Sequence, residues 1–222
     1  MKDVVIAINL VNYKDCDKRN AQERAMEILL RNATPNVTIH SFNFLGEYPN
    51  SRQDKIQVHH NLTRDSKQLI GNSRSLPYVR EIFDHAAGIP GDIFGYMNTD
   101  ILLSREFFSF LDGSYDAYIF SRYEIDTADY FERGGFNILD DKHPGFDAMF
   151  FNRTWWLLNN HRFHPNLILG EPAWDDYYNK KIREITKKVF SKRALYHVRH
   201  SRTWDIKSAG AKNNICIHYE GR

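Results

Sequence analysis

The stretch from residue 93 to residue 108 constrains the fold of this 222-residue chain more than any other. It begins with the apolar run Ile93–Met97, which is typical of a strand buried on both faces of a sheet. Asn98 and Asp100 follow, then a second apolar run and Ser104, which can cap a short helix. Because residues two apart in a strand point to the same face, Asn98 and Asp100 can contact one ligand. Open α/β sheets bind ligands at this carboxyl end of their strands, so the stretch predicts a binding site there.

The oxygen-bearing side chains of Asn98 and Asp100 indicate a divalent cation as one ligand. Mg²⁺ and Mn²⁺ prefer oxygen ligands, keep some of their waters and take further oxygens from substrate phosphates. One or two protein side chains therefore suffice when a diphosphate supplies the rest. The alternative interpretation is that Asp100 only caps the turn that follows it.

The composition limits the class of protein. Hydrophobic residues make up 42% of the chain and aromatic residues 14%, which is typical of a globular protein, and the length fits a single domain over residues 1–222. A net charge of +2 is too weak to indicate a nucleic-acid partner by itself. Cys16 and Cys216 can build neither a disulfide framework nor a zinc knuckle. Since the sequence shows no signal peptide or membrane span, we expect a cytoplasmic protein.

The first strand and the loop after it predict a nucleotide-binding site. Val4–Ile8 is a short apolar run, and the polar residues Asn9, Asn12 and Tyr13 follow it. Nucleotide-binding α/β folds hold the base and ribose at this position, so these three side chains are candidate donor contacts. A plain surface loop is an equally open interpretation.

Periodicity and turn residues predict the other elements. The predicted helices run from Asp17, as the cap, to Arg31, from Pro77 onward, and from Asp175 through Val189. The predicted strands are Val37–Phe42, Ala117–Ser121 and Ala194–His200. Residues 46–72 are predicted to form a polar excursion with a short helix, residues 122–141 a mobile loop, and residues 208–214 a loop. The strand-helix-strand order at the start predicts a parallel pair with a right-handed crossover.

Two further stretches of the sequence place carboxylates next to predicted strands or helices, and a carboxylate that is buried there needs a hydrogen-bonding partner or a function. Asp147 stands among apolar residues just before a predicted strand, and Asp175 and Asp176 stand at the start of a predicted helix. Turn capping by Asp147 and helix capping by Asp175 are the structural alternatives.

The order of these parts resembles that of the GT-A glycosyltransferases over residues 3–218. The tripeptide Asn98-Thr99-Asp100 is similar to their D-x-D motif, with Asn98 in place of the first acid. The patterns G-x-D-x-x-x-F at 145–151 and G-x-P-x-W-D-D at 170–176 resemble their acceptor-side segments. The resemblance implies an α/β, Rossmann-like single domain with a mostly parallel central sheet flanked by helices. Its donor-binding half would cover about residues 1–115 and its acceptor-side half about residues 116–222.

The resemblance also implies an activity and roles for individual residues. A divalent metal, Mn²⁺ or Mg²⁺, would be held by Asp100, Asn98 and His200, with His197 as the alternative histidine. Arg74 and Lys212 would contact the phosphates of a nucleotide-sugar donor. Asp175 would be the general base if the reaction inverts the anomeric centre, and Asp147 would hydrogen-bond sugar hydroxyls. The acceptor would be a carbohydrate or another hydroxyl compound.

Three alternatives remain open at this stage. A nucleotidyltransferase on the same fold ranks lower, because the loop after the first strand lacks the glycine-rich sequence of such enzymes. A non-catalytic carbohydrate-binding or scaffold protein is consistent with the replacement of an acid by Asn98. A transferase acting on modified DNA is consistent with the basic residues near the C-terminus.

Overall fold

A parallel β-α-β unit opens the chain, as predicted. The computed structural model describes residues 2–47, 55–71, 75–129, 131–140, 145–199 and 206–220. In chain order the elements are β1 (Val4–Ile8), α1 (Cys16–Asn32), β2 (Val37–Phe44), β3 (Ile56–Leu62), α2 (Lys67–Ile70), α3 (Val79–Gly88), β4 (Ile93–Met97), β5 (Ile101–Leu103), a 3-10 helix (Arg105–Phe110), β6 (Ala117–Ile125), a 3-10 turn (Phe131–Arg133), β7 (Ile138–Asp140), β8 (Ala148–Asn152), α4 (Arg153–Asn159), a 3-10 turn (Asn160–Arg162), α5 (Trp174–Ile185), β9 (Val189–Val198) and α6 (Ala209–Glu220).

One sheet joins all of these strands, in the order β3-β2-β1-β4-β8-β6-β9-β5, with β7 paired to β6. The pairs β1–β2, β2–β3, β1–β4 and β6–β9 are parallel. Strand β8 is antiparallel to both β4 and β6, so β4 and β6 run in the same direction. The predicted α/β fold with a mostly parallel central sheet flanked by helices is confirmed.

The sheet separates two apolar cores. Strand β1 illustrates why the central strands are continuous apolar runs in the sequence. Val4, Ile6 and Ile8 pack into one core with α1, whereas Val5 and Ala7 pack into the other with α3. Successive side chains of a strand point to opposite faces, so a strand covered on both faces must be apolar throughout.

The helix boundaries correct three predictions. Helix α1 is capped by Asp15 and not by Asp17, because the Asp15 carboxylate accepts from the backbone N–H groups of Asp17 and Lys18. Helix α3 begins at Val79, since Pro77 lies in a bridge with Asp65. Helix α5 ends at Ile185, and the apolar residues from Val189 belong to β9.

Three predicted loops contain regular structure. The polar excursion over 46–72 includes the edge strand β3, whose residues between Ile56 and Leu62 are mostly exposed. The loop predicted over 122–141 is wrong at both ends. Strand β6 continues to Ile125, and β7 near the end of the predicted loop pairs with β6. The predicted loop at 208–214 is largely the first turns of α6. Ser104 precedes the 3-10 helix as expected, although its side chain makes no capping hydrogen bond.

Within the described part of the chain, no helix has the length and apolar character needed to cross a membrane.

Gly95 in the centre of β4 provides a test of this packing. A Cβ atom at Gly95 would overlap the Met149 carbonyl oxygen and would lie 2.5 Å from the Phe150 ring of the paired strand β8. We expect Gly95→Ala to lower the free energy of unfolding by about 1–3 kcal/mol, as overpacking does in other cores. Urea denaturation followed by circular dichroism measures this loss. Gly88→Ala is the matched control, because nothing lies within 4 Å of its Cβ position; an equal loss in both variants would contradict the packing described here.

Candidate active site

The topology brings the carboxyl ends of β4, β6 and β9, which run in the same direction, to one edge of the sheet. Strand β4 ends just before Asn98, and the parallel pair β6–β9 places Glu124 opposite His197. Because β8 runs antiparallel to β4, its beginning lies at the same edge, where the Asn98 N–H donates to the Asp147 carbonyl oxygen at 2.9 Å. Side chains that are far apart in sequence therefore meet at this edge.

Six of these side chains form a continuous chain of hydrogen bonds and ion pairs, which we call the site network: Asn98, Asp147, Arg122, Glu124, His197 and Asp100. Both Asn98 Nδ2, at 2.9 Å, and Arg122, at 2.5 Å, donate to Asp147 Oδ1. Arg122 Nε also donates to Glu124 Oε1 at 2.9 Å.

His197 lies between two carboxylates at the other end of the site network. Its Nδ1 atom is 2.9 Å from Glu124 Oε2, and its Nε2 atom is 3.3 Å from Asp100 Oδ2. The imidazole ring is buried, whereas Asp100 is partly exposed. Glu124 therefore fixes the orientation of the ring, and Nε2 faces the open side of the site.

Charges of opposite sign stabilise one another along the site network. Burial lowers the pKa of His197, but its hydrogen bonds with Asp100 and Glu124 outweigh burial and raise that pKa to about 9. Burial raises the pKa of Glu124, but hydrogen bonds with His197 and the charges of His197 and Arg122 lower it to about 2. Anions and cations thus alternate along the network at neutral pH.

Asp175 lies next to the site network through a backbone contact. Its Oδ2 atom accepts a hydrogen bond from the Phe146 N–H at 2.8 Å, which joins the start of α5 to the residue before Asp147. Burial and, to a smaller extent, the negative charges of Asp176 and Asp147 raise the pKa of Asp175 to about 6 against the opposing effect of that hydrogen bond. A carboxylate with this pKa is ionised at pH 7 and is a competent proton acceptor.

The turn before Asp175 is strained. Ala173 precedes α5 with φ of +72°, in the left-handed region that residues with a Cβ rarely adopt. Such a conformation costs on the order of 1–3 kcal/mol and occurs most often at functional sites. Since Ala173 holds the cap position, Asp175 is not the helix cap.

The structure places the other predicted site residues as follows. Asn9 Nδ2 donates to the Phe42 carbonyl oxygen at 2.7 Å, while Asn12 and Tyr13 lie in the loop after β1. Lys212 is exposed on α6 and not in a phosphate-binding loop, so the predicted setting of this residue is wrong. Arg74 and His200 lie outside the described residues.

Two members of the site network, Arg122 and Glu124, were not predicted. The apolar run of β6 stops at Phe120, and the following charged residues therefore indicated a loop. The signal that could have identified them is their spacing of two, the same spacing that singled out Asn98 and Asp100.

Asp100 and His197 are the pair in the site network best suited to hold a cation. Carboxylate oxygen and imidazole nitrogen both suit Mn²⁺, and a carboxylate on the far nitrogen is the usual support of a metal-binding histidine. Among the residues that the structure describes, no group of three or more His, Cys, Asp or Glu could hold a metal ion. Any ion bound by this pair would need further ligands from water or from a substrate diphosphate.

Comparisons with known proteins show the fold. No protein-family model and no curated protein matches the chain. The structure is similar to that of S. aureus TarS residues 1–349 in complex with UDP-GlcNAc, with a TM-score of 0.57 and 11% identity over 90% of this chain and 59% of the TarS chain. A second structure of TarS 1–349 gives a TM-score of 0.54 and 10% identity over 89% and 60%. The glycosyltransferase GlyE of Streptococcus pneumoniae TIGR4 gives a TM-score of 0.43 and 10% identity over 86% and 45%.

The chain shares the α/β fold of TarS residues 1–349. It spans about three fifths of the length of the TarS chains that it matches.

The central position of Arg122 leads to a prediction about stability. We expect Arg122→Met to lower the free energy of unfolding by about 3–5 kcal/mol, because it leaves the buried carboxylates of Asp147 and Glu124 without their shared cation. Urea denaturation at pH 7 measures the change. Arg193→Met is the control, since Arg193 lies 5.5 Å from the centre of the Tyr123 ring and should contribute less than about 1 kcal/mol. Comparable losses in the two variants would show that the site network does not depend on Arg122.

Proposed function

We propose that this protein is a glycosyltransferase that moves a sugar from a nucleotide-diphosphate sugar to an acceptor hydroxyl. The observation that carries the proposal is the site network at the carboxyl edge of the sheet, with Asp175 held beside it. The fold shared with TarS supports it, and the structure of TarS with UDP-GlcNAc makes a UDP-sugar the first donor to test.

In this proposal Asp100 and His197 hold a divalent cation, with Asn98 beside them, and His197 would release its Nε2 proton when the cation binds. His197, the alternative histidine of the resemblance, takes the role that was expected of His200. The cation, when bound, would neutralise the charge that develops on the diphosphate leaving group. Glu124 accepts from Nδ1 of His197 and so keeps Nε2 directed toward Asp100.

The acceptor chemistry is assigned to Asp175. The acceptor oxygen forms a bond to the anomeric carbon, the bond from that carbon to the diphosphate oxygen breaks, and the hydroxyl proton goes to the Asp175 carboxylate. This describes a reaction that inverts the anomeric centre; a retaining reaction would require no such base. Asp147, fixed by Asn98 and Arg122, would position sugar hydroxyls.

Asp100→Asn tests the donor site. We expect Mn²⁺ with UDP-GlcNAc, or with one of a panel of UDP-, GDP-, CMP- and dTDP-sugars, to raise the unfolding temperature of the wild-type protein, because a ligand that binds only the folded state stabilises it. The shift should disappear in Asp100→Asn and persist in the control Asp129→Asn, which changes an exposed carboxylate. If no nucleotide sugar produces a shift with or without Mn²⁺, the donor site is refuted and a non-catalytic carbohydrate-binding role is favoured.

Asp175→Asn tests the general base. With the donor found above, kcat/KM for UDP release should fall as the pH drops below about 6, because protonated Asp175 cannot accept the acceptor proton. We expect Asp175→Asn to lose about 10²–10⁴-fold in rate and to retain donor binding. Asp176→Asn, which changes the exposed neighbour on the same helical turn, should keep the rate at pH 7 and move the acid limb of the pH profile only slightly to lower pH, because it removes one negative charge near Asp175. A wild-type pH profile in Asp175→Asn would show that another group accepts the proton.

A further inference from the structure

A second cluster of buried polar side chains lies under the loop after β1, which we call the first loop (residues 9–13). Ser41 and Asn43 on β2 are fully buried, and Gln22 on α1 is 7% exposed. A buried polar side chain lowers stability unless it is hydrogen-bonded. All three of these side chains make hydrogen bonds to the backbone of the first loop.

The contacts at Leu10 replace strand pairing that has ended. Strand β1 pairs with β4 as far as Ala7 and with β2 as far as Ile8. Two residues further on, the Leu10 N–H donates to Ser41 Oγ at 3.1 Å, and the Leu10 carbonyl oxygen accepts from Asn43 Nδ2 at 2.8 Å. Ser41 Oγ donates in turn to Asn43 Oδ1 at 2.7 Å, which orients both side chains.

The contacts at Val11 have the same form but come from the helix. The Val11 N–H donates to Gln22 Oε1 at 3.1 Å, and Gln22 Nε2 donates to the Val11 carbonyl oxygen at 3.0 Å. One amide side chain therefore satisfies both backbone groups of this residue. Asn9 adds a third attachment by donating to the Phe42 carbonyl oxygen of β2.

Four backbone polar groups of the first loop, two on Leu10 and two on Val11, are thus fixed by side chains of β2, the strand next to β1, and of α1. The loop leaves the sheet at the same edge as Asn98, because β1 and β4 are parallel neighbours. A loop whose shape is fixed before binding avoids the entropy cost of ordering when a ligand arrives.

We infer that Gln22, Ser41 and Asn43 are positioning residues that preset the first loop for the nucleoside end of the donor. The inference rests on the proposed function, because it assigns the ligand of the loop from the donor of the site network. These three side chains act through the backbone of Leu10 and Val11 and are not themselves expected to contact the nucleotide.

Gln22→Met provides the central test, because it keeps the approximate shape of the side chain and removes both hydrogen bonds to Val11. The probe is UDP in the presence of Mn²⁺, measured by isothermal titration calorimetry well below the unfolding temperature. We expect the Kd for UDP to rise about tenfold, since the loop must be ordered on binding. Amide hydrogen exchange of residues 9–13 should become faster in the same variant.

Asn32→Leu is the matched control. Asn32 lies on the same helix, is similarly buried at 6% exposure, and donates to the Leu103 carbonyl oxygen, away from the first loop. This variant should lose stability without a change in UDP affinity or in the exchange of residues 9–13. Ser41→Ala, which removes a single hydroxyl, serves as the milder second variant if Gln22→Met does not fold, and it should shift the Kd in the same direction.

The outcomes separate this inference from the proposed function. Unchanged UDP affinity in Gln22→Met, or equal losses in Gln22→Met and Asn32→Leu, would overturn the positioning role while leaving the donor site intact. If the wild-type protein binds neither UDP nor any nucleotide sugar, the proposed function fails and the nucleoside role fails with it. Hydrogen exchange then still decides whether Gln22 orders the first loop.

Discussion

The guanidinium of Arg122 is the interaction on which the rest of the site depends. Asp147 and Glu124 are both almost fully buried, and Arg122 forms an ion pair with each of them, which offsets the cost of burying two carboxylates. Arg122 fixes the beginning of β8 against β6, and Glu124 extends the same connection to β9 through His197. The position of Asp100 therefore depends on residues from three strands, which makes the site more rigid than one built on loops.

The two polar clusters at this edge differ in charge, and the difference has a physical reason. The site network alternates anions and cations, whereas the cluster under the first loop consists of a hydroxyl and two neutral amides. Amides satisfy backbone groups of both kinds, because each carries a donor and an acceptor. They fix the loop without adding a charge of their own where we propose that the nucleoside end of the donor binds.

The sequence was sufficient where local pattern and tertiary setting agree. The apolar runs of β1 and β4 predicted central strands, and the polar residues directly after or before strands led to Asn98, Asp100 and Asp147. It was insufficient where distant contacts decide the structure. Helix α6 begins with small residues that suggested a loop, but Gly210 lies so close to Glu171 that a Cβ would be 2.6 Å from its Cγ atom. The buried amide of Asn214 then pairs with both backbone groups of Ile168, which no local pattern reveals.

The placement of Asp175 shows how the site combines burial with restraint. Burial is the largest cause of the raised pKa of Asp175, and the buried rings of Trp174 and Tyr178 on α5 anchor its helix in the apolar core. Ala173 precedes this anchored helix and holds its strained conformation there. Phe146 then completes the restraint with its N–H group, one residue from the carboxylate that Arg122 holds. Asp175 and Asp147 are therefore set relative to each other by packing and backbone contacts.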